Sequence, residues 1–223
     1  ANLQNGRGGA ETQYYDCFDP EWEVIQKFKN QMTPVTRQVR GIDYSMCFNS
    51  FFLNKAAKNE DIALLDFAKF EDLYEAMADK DPKVFENLYN RYLKDNAFTT
   101  FVKARSVLFG ALKEGLETGR HYLCNLTEMN RHTPFLDKIY QSNLCGEIQL
   151  PTKAYDCVTE LYKTNWECES YDKIPETATC ALAGIAVGKV KSEAEYAEAG
   201  WVALDLIHTG IKESDYMLPQ IGY

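Results

Sequence analysis

The chain has 223 residues, of which 45% are hydrophobic and 26% charged, a composition typical of a folded protein with a buried core rather than a disordered one. Its formal net charge of −9 argues against binding along a nucleic-acid backbone, because that requires clustered lysine and arginine side chains, whereas a free nucleotide needs only a local site. No apolar run approaches the roughly 20 residues of a membrane span, and no signal segment opens the sequence.

The first part of the sequence predicts alternating helices and strands. Trp22, Ile25 and Phe28 recur at helical spacing in PEWEVIQKF, which predicts a helix. The following KNQMTPVTRQVRG contains Pro34 and no sustained period, which indicates a loop. We predict a helix over YSMCFNSFFLNKAAKN and a short apolar strand over DIALLDF.

Further helices are predicted in the middle of the chain. Residues 69–95 carry Phe, Leu and Tyr at spacings of three and four, and Pro82 divides them into two amphipathic helices. A third helix is predicted over residues 98–118, ended by Gly119, and HYLCNL then reads as a strand. The apolar stripe predicted for that third helix consists of Phe101, Ala104, Leu108, Leu112 and Leu116.

The last third of the sequence predicts one more long helix. Ser192 and Glu195 have the spacing of a capping box. The run TCALAGIAVG before it is predicted to be buried, and residues 153–177 are polar and irregular. Strands that alternate with helices predict an α/β architecture. The apolar face predicted for the last helix consists of Tyr196, Ala199, Ala203, Leu206 and Ile207.

The cysteines and the two ends indicate the setting of the chain. Seven cysteines at irregular spacing do not resemble a secreted disulfide framework, so we expect free thiols and a cytoplasmic protein. The glycine-rich start ANLQNGRGGAET lacks an initiator methionine, and the end, DYMLPQIGY, follows soon after a helix. We therefore expect a piece of a longer protein.

The segment YQSNLCGEIQLPTK places three polar residues at alternate positions, Asn143, Cys145 and Glu147. In extended backbone their side chains would share one face, about 7 Å apart. A nearby carboxylate disfavours a thiolate, which argues against a nucleophilic cysteine, and no CxxC or HExxH pair suggests zinc. A neutral thiol beside a carboxylate suits hydrogen-atom transfer, whereas a lone cysteine is more often a small buried hydrophobe. Both interpretations stay open at this level.

A family resemblance adds to this pattern. QSNLCGEIQLPTK resembles the active-site loop of the large, catalytic subunit of class I ribonucleotide reductase, whose motif is SNLCxEI followed, in the bacterial and phage branch, by LPTK. GRGGAET, RQVRGIDYS, NEDIALLD, ETGRHYL, NRHTPF and TCALAGIAVG resemble family segments in the same order. The resemblance implies that residues 1–223 form the central part of a ten-stranded α/β barrel, with the finger loop at residues 140–150, completed by other chains.

The resemblance also implies roles for single residues. Cys145 would become the thiyl radical that takes the 3′-hydrogen of a ribonucleotide, Glu147 would accept the 3′-hydroxyl proton, and Asn143 would hydrogen-bond the ribose hydroxyls. Cys180 would be one of two thiols that reduce the 2′-position and then form a disulfide, its partner lying upstream of this chain. Residues 30–40 correspond to the specificity loop, although RQVR stands where many bacterial relatives have NRVR. Its candidate residues are Gln31, Arg37, Gln38 and Arg40.

The remaining cysteines have no such implied role. Cys17, Cys47 and Cys124 are interpreted as core residues. Cys157 and Cys168 lie in residues 153–177, a stretch longer than its bacterial counterpart, and are expected at the surface.

The resemblance implies partners rather than cofactors for this chain. We expect no bound metal or cofactor, a thiyl radical generated by a metal-containing small subunit, and dNTP or ATP effectors bound mainly by missing parts. The substrate would be a ribonucleoside diphosphate, the reductant thioredoxin or glutaredoxin, and the chain one fragment of a split subunit that works once assembled with the others. Its location would be the cytoplasm, that of the host if a phage encodes it.

Two other functions are compatible with the sequence. One is a non-catalytic structural or regulatory fragment that binds other subunits, although Asn143, Cys145, Glu147 and Cys180 together favour the enzyme. The other is a different thiyl-radical enzyme, such as a B12-dependent or glycyl-radical reductase, which would lack the LPTK context.

Overall fold

The fold is known from a computed structural model, which describes residues 3–4, 7–165, 170, 173–216 and 218–219, with only the backbone of residues 3, 4, 7 and 8. The chain divides into two compact units, Ala1–Pro151 and Thr152–Tyr223. Within the part of the chain that the structure describes, no helix has both the length and the apolar character needed to span a bilayer.

Among its described residues, the first unit contains seven short strands and six α-helices. The strands are β1 (Leu3–Gln4), β2 (Arg7–Gly8), β3 (Thr12–Asp16), β4 (Asp43–Phe48), β5 (Asp61–Ala63), β6 (Phe101–Lys103) and β7 (His121–Asn125). The helices are α1 (Trp22–Gln26), α2 (Ser50–Lys58), α3 (Glu71–Met77), α4 (Pro82–Lys94), α5 (Ala104–Thr118) and α6 (Leu126–Arg131).

A parallel sheet in the order β3-β4-β7 forms the centre of this unit. The hairpins β1-β2 and β5-β6 are antiparallel. Residues at equivalent positions on the three parallel strands form rows across the sheet. One row contains Tyr14, Ser45 and Tyr122, and the next, nearer the carboxyl ends of the strands, contains Asp16, Cys47 and Cys124.

One face of the sheet is covered by helices and aromatic side chains. Tyr44, Met46 and Phe48 alternate along β4 on this face and are buried. The ring of Phe28 lies 5.6 Å from that of Tyr44, and the ring of Phe52 in α2 lies 6.1 Å from that of Phe48. The opposite face carries the two rows that contain Ser45 and Cys47.

The predicted helix over residues 44–59 is wrong in its first half, because residues 43–48 form β4. This strand lies between two others and is buried along nearly its whole length. Tyr44, Met46 and Phe48 alternate in it with Asp43, Ser45 and Cys47, a period of two that the predicted helix did not take into account. The helix begins only after Asn49, whose side chain accepts a hydrogen bond of 3.0 Å from the Phe52 N–H. The predicted strand after it is β5.

The helices predicted over residues 69–95 are confirmed as α3 and α4. Asp81 caps α4 by accepting a hydrogen bond from the Lys83 N–H at 3.0 Å, and Pro82 occupies the first turn. The helix around Trp22 and the strand HYLCNL are also confirmed, as α1 and β7.

The stripe predicted for α5 is only partly right: Ala104 is buried and Leu108 packs against the core, but the other three residues do not belong to the buried face. The helix and its end at Gly119, with φ +64°, are confirmed, although it begins at Ala104 rather than at residue 98. The buried side chains of α5 are small or polar, whereas Leu112 and Leu116 are 41% and 88% exposed and Phe101 lies in β6. Small residues allow α5 to lie close to its neighbours: a Cβ on Gly110 would collide with the side chain of Gln26. The buried residues of α5 are Ala104, Val107, Ala111 and Glu114.

The second unit contains the predicted long helix, α7 (Glu193–Glu213). One of the two hydrogen bonds of a capping box is confirmed: the Glu195 N–H donates to Ser192 Oγ at 3.2 Å. The Glu195 carboxylate accepts a hydrogen bond from the Lys191 N–H, at 2.7 Å, rather than from the Ser192 N–H. The apolar face of α7 is not buried against the described residues, and Leu206 is 67% exposed.

Two other predictions concern the second unit. Residues 153–177 are irregular where described, with a 3₁₀ helix at Val158–Tyr162 and an isolated bridge between Lys153 and Glu176. The expectation that TCALAGIAVG is buried is wrong: residues 179–184 are exposed and form no helix or strand. Small side chains offer little apolar area, and no element of this unit's described residues covers them.

Candidate functional site

The finger loop at residues 140–150 is a tight turn rather than the extended segment that the sequence suggested. Gly146 has φ +80°, a left-handed conformation that reverses the chain. Its N–H donates to the Asn143 carbonyl at 3.2 Å, and the Asn143 N–H donates to the Ile148 carbonyl at 3.3 Å. The expectation that Asn143, Cys145 and Glu147 share one face of a strand is therefore wrong, because the chain turns at these residues.

The side chain of Asn143 holds the turn closed. Its Oδ1 accepts hydrogen bonds from the backbone N–H groups of Glu147, at 3.0 Å, and Ile148, at 2.9 Å. The Ser142 hydroxyl donates to the Ile148 carbonyl at 2.7 Å. The Asn143 Nδ2 makes no hydrogen bond with the described residues, so this amide can still donate to a ligand.

Two hydroxyl groups of β3 dock the loop on the face of the sheet opposite the helices, which we call the loop face. The Tyr14 hydroxyl donates to the Asn143 carbonyl at 2.5 Å, and the Thr12 hydroxyl donates to the Leu144 carbonyl at 2.7 Å. Thr12 and Tyr14 are two positions apart on the strand and therefore point the same way. Burial raises the pKa of Tyr14 to about 12, so its hydroxyl remains a donor at neutral pH.

The base of the loop is anchored by separate contacts. The Tyr140 ring stacks on that of Tyr74, with centroids 5.6 Å apart and planes at 8°, and its hydroxyl donates to the Glu75 carboxylate. The Asn130 side chain donates to the Ile139 carbonyl at 2.8 Å and accepts from the Ile139 N–H at 2.8 Å. These contacts hold Ile139 and Tyr140, which we call the stem of the finger loop, in place.

Next to the loop lies a cavity of about 440 Å³, a size suited to a small ligand, which Asn143, Cys145 and Glu147 do not themselves line. Cys145 and Glu147 are both exposed, and Asn143 is half-buried. Side chains of the loop face, of α6 and of the loop line this cavity. They include Tyr14, Ser45, Tyr122, Cys124, Glu128, His132, Ser142, Gly146 and Gln149.

Cys180 lies in the second unit, in an exposed irregular segment, as a free thiol. Cys157 is likewise exposed, as expected, whereas Cys168 lies outside the described residues. Cys17, Cys47 and Cys124 are buried, which confirms their interpretation as core residues.

The loop at residues 30–40 is fastened to α5 through Asn30. The Asn30 Nδ2 donates to the carboxylates of Glu114, at 2.9 Å, and Glu117, at 2.7 Å. Gln38 closes the loop from within, because its Nε2 donates to the carbonyls of Thr33, at 2.5 Å, and Asn30, at 3.2 Å. A cavity of about 600 Å³ lies between this loop, α1 and α5.

The four residues predicted for this loop are therefore not equivalent. Gln38 directs its side chain into the loop, and its Oε1 accepts from Arg40 Nε. Gln31 and Arg37 are exposed, and Arg37 lines the cavity. Gln31 and Arg37 make no side-chain hydrogen bond with the described residues, whereas exposed Arg40 uses its Nε to bond Gln38.

Sequence reasoning missed the residues that position the finger loop. Thr12 and Tyr14 belong to TQYYD of β3, in which polar and apolar residues do not alternate, so no periodic signal marked them. Asn130 carried no signal either, because its two bonds to Ile139 depend on the path of the chain after α6. Among the described residues, no three His, Cys, Asp or Glu side chains are grouped so that they could hold a metal ion.

Comparison with known proteins identifies the family. The model of the ribonucleotide reductase barrel domain matches residues 1–223. The chain belongs to the ribonucleotide reductase barrel-domain family. This confirms the expected family and α/β barrel class, of which the parallel sheet with helices on one face is a part.

Several relatives are ribonucleoside-diphosphate reductase alpha subunits from bacteria and a phage. The subunit of Buchnera aphidicola (Acyrthosiphon pisum, strain APS) is 33% identical over 196 residues, covering 86% of this chain and 24% of that protein. The alpha subunit of ribonucleoside-diphosphate reductase 1 of Escherichia coli K12 is 36% identical over 151 residues, covering 66% of this chain and 20% of that protein. The subunit of Enterobacteria phage T4 is 31% identical over 188 residues, 77% of this chain and 24% of that protein. The match thus spans a quarter or less of these relatives.

Proposed function

We propose that this chain is the part of a class I ribonucleoside-diphosphate reductase large subunit that carries the radical cysteine, and that it reduces ribonucleotides to deoxyribonucleotides for DNA synthesis. The observation that supports this most strongly is the docked SNLCxEI-type loop, which exposes Cys145 at its tip while Ser142 and Gly146 of the same loop line a cavity of about 440 Å³. A cysteine kept only as a small core residue would be buried, as Cys17 is.

The residues of the loop divide the chemistry between them. The sulfur radical of Cys145 takes the 3′-hydrogen of the ribose, which forms an S–H bond and leaves the unpaired electron on C3′. Glu147 accepts the proton of the 3′-hydroxyl, and the free Asn143 Nδ2 donates to a ribose hydroxyl while Oδ1 holds the turn. The 2′-hydroxyl leaves as water, and two thiols, one of them Cys180, supply the two electrons and two hydrogens, one of which ends in the water and one at C2′, and become a disulfide. Cys145 then returns its hydrogen to C3′ and is again a sulfur radical.

The other components would come from outside this chain. They are the rest of the barrel, a metal-containing small subunit that generates the radical, and thioredoxin or glutaredoxin to reduce the disulfide. The exposed Gln31 and Arg37 of the loop at residues 30–40 would contact the substrate base or the effector. The first redox cysteine would likewise lie in the remainder of the subunit.

Replacement of Cys145 tests the proposal. In the large subunit assembled from this chain and the remaining segments, with a radical-generating subunit present, Cys145→Ser should abolish deoxynucleotide formation and leave substrate binding nearly unchanged. An O–H bond is too strong for the hydroxyl to act as the hydrogen-atom shuttle. Cys157→Ser, at another exposed cysteine, is the matched control and should retain activity. Substantial turnover by Cys145→Ser would refute the assignment.

The same assembly separates the enzyme from a non-catalytic fragment. A purely structural fragment would assemble with its partners, and Cys145→Ala would then cost no activity. A single turnover without external reductant should in addition leave Cys180 in a disulfide with a cysteine from the remainder of the subunit, detectable by mass spectrometry. A Cys180 that stays reduced, or that pairs with Cys145, contradicts its proposed role.

A further inference from the structure

Two buried cysteines stand side by side on the loop face. Cys47 of β4 and Cys124 of β7 are directly paired in the parallel register and are 2% and 6% exposed. Neighbouring strands are about 4.8 Å apart, which lies within the roughly 4.4–6.8 Å between Cα atoms of natural disulfides. Both are free thiols in this structure.

The two thiols differ in their access to small molecules. Cys124 lines the 440 Å³ cavity beside the finger loop, whereas Cys47 does not. The Cys124 thiol lies 3.1 Å from the Met129 sulfur, and the Cys47 thiol points toward the Tyr140 carbonyl, 3.8 Å away. A small solute in the cavity thus meets Cys124 first.

We propose that Cys47 and Cys124 form an oxidative modification site, in which a small hydroperoxide that enters the cavity converts the pair into a disulfide between β4 and β7. In the first step the Cys124 sulfur attacks the peroxide O–O bond, which gives a sulfenic acid and releases water or an alcohol. In the second step the Cys47 sulfur displaces the hydroxyl of that sulfenic acid, which leaves as water. The two thiols lose two electrons, the peroxide gains them, and a dithiol reductant reverses the change.

The surroundings of Cys47 suit it to the second step. The neighbouring Cys124 thiol and burial raise the pKa of Cys47, and the Asp16 carboxylate in the same row acts in the same direction. A thiol that is rarely ionised reacts slowly with peroxide from solution, whereas its attack on a sulfenic acid held beside it is intramolecular and is favoured by that proximity. Cys124 is therefore the site of attack and Cys47 the resolving thiol.

Oxidation of this pair would remove a contact to Tyr140, in the stem of the finger loop. The hydrogen that Cys47 directs at the Tyr140 carbonyl is lost when the sulfur enters a disulfide. Tyr140 is also held by its stacking on Tyr74, so the stem would be loosened rather than released. The inference does not rest on the proposed reductase activity, because it concerns the thiols alone.

Peptide mapping of the full chain tests the inference. After removal of reductant, a titration with hydrogen peroxide under native conditions should produce a cross-linked Cys47–Cys124 peptide, with loss of both thiols together, and dithiothreitol should restore them. The chain unfolded in guanidinium should instead give mixed pairings among its seven cysteines. If both thiols remain alkylatable at peroxide levels that oxidise the exposed Cys145, the inference is overturned.

Single variants separate the two steps. Cys47→Ala should leave Cys124 as a sulfenic acid that dimedone traps, whereas Cys124→Ala should leave Cys47 as a thiol. Cys17→Ala is the matched control, because Cys17 is fully buried and its N–H donates to the Cys47 carbonyl at 2.9 Å, yet it lies outside the row. Loss of the Cys47–Cys124 cross-link in Cys17→Ala, or its replacement by a Cys17–Cys47 bond in the wild type, would contradict the assignment.

Discussion

The Tyr14 hydroxyl donates a 2.5 Å hydrogen bond to the Asn143 carbonyl across 129 positions of sequence. This bond ties a strand of the parallel sheet to the turn that presents Cys145. Because the turn has no strand partners of its own, such side-chain bonds determine how well Cys145 is positioned. A loosely held cysteine would meet a substrate hydrogen in the correct geometry less often.

Removal of that hydroxyl tests the docking of the loop. Tyr14→Phe keeps the ring but deletes the donor, which should cost about 1 kcal/mol of local stability. We expect faster hydrogen exchange at residues 143–148 of the full chain and unchanged exchange in α4. The control is Tyr122→Phe in the same row, whose hydroxyl makes only a 3.4 Å contact to Asp43. Equal effects of the two variants would show that the Tyr14 bond does not hold the loop.

The side-chain oxygen of Asn143 can be tested in the same way. Asn143→Ala removes the acceptor for two N–H groups, so the Glu147 and Ile148 amides should exchange faster by an amount corresponding to about 1–3 kcal/mol. Asn143→Asp keeps an acceptor oxygen at this position and should retain most of this protection. In the assembled reductase both variants should lose activity, because each removes the Nδ2 donor. Protection unaffected by Asn143→Ala would refute the closing role of Oδ1.

Much of the fold could be predicted because its signals are local. Gly119 ends α5 and Ser192 begins α7 through chemistry confined to a few neighbouring residues. β4 was missed because its short alternation, from Asp43 to Phe48, runs almost directly into the apolar start of α2, and the two were interpreted as one helix. The stripe of α5 was misassigned because its buried face uses small residues such as Ala111, while Leu116 is exposed.

The candidate site was predictable in identity but not in shape. The motif around Cys145 marked the loop, whereas its conformation depends on the positive φ of Gly146 and on the inward Asn143 side chain. The contacts from Thr12 and Tyr14 join residues more than a hundred positions apart, and no local pattern encodes them. Pairing across strands likewise brought two cysteines together that sequence spacing kept apart.

Gly146 offers a test of backbone conformation without a steric clash. A Cβ at this position would meet nothing within 4 Å, so the cost of Gly146→Ala comes from its φ of +80° alone, about 1–2 kcal/mol. We expect the turn to lose protection against hydrogen exchange and the assembled enzyme to lose activity. Gly41→Ala, equally open but without a positive φ, is the control and should change neither. A fully protected turn in Gly146→Ala would contradict the strain argument.

The buried pair of Tyr15 and His121 predicts a specific dependence of stability on pH. His121 Nε2 lies 2.8 Å from the Tyr15 hydroxyl, and Nδ1 has no partner among the described residues. Burial lowers the pKa of His121 from 6.5 to about 4. Between these two pH values His121 binds a proton in the unfolded chain but not in the folded chain. Its contribution to the free energy of unfolding therefore falls as the pH falls, by up to about 1.4 kcal/mol per pH unit.

Measurement of this effect requires a comparison, because Asp16 acts in the opposite direction. Burial, and then the nearby Asp19, raise the pKa of Asp16 from 3.8 to about 7, so its contribution falls as the pH rises through that range. Urea unfolding of the wild type and of His121→Gln, which retains an acceptor for Tyr15, should therefore be compared at each pH. The free energy of unfolding of the variant should increase relative to that of the wild type as the pH falls from about 6.5 to 4. Below pH 4 the difference between the two should level off. Proton NMR of the imidazoles gives an independent check, and a His121 that titrates near 6.5 would refute the prediction.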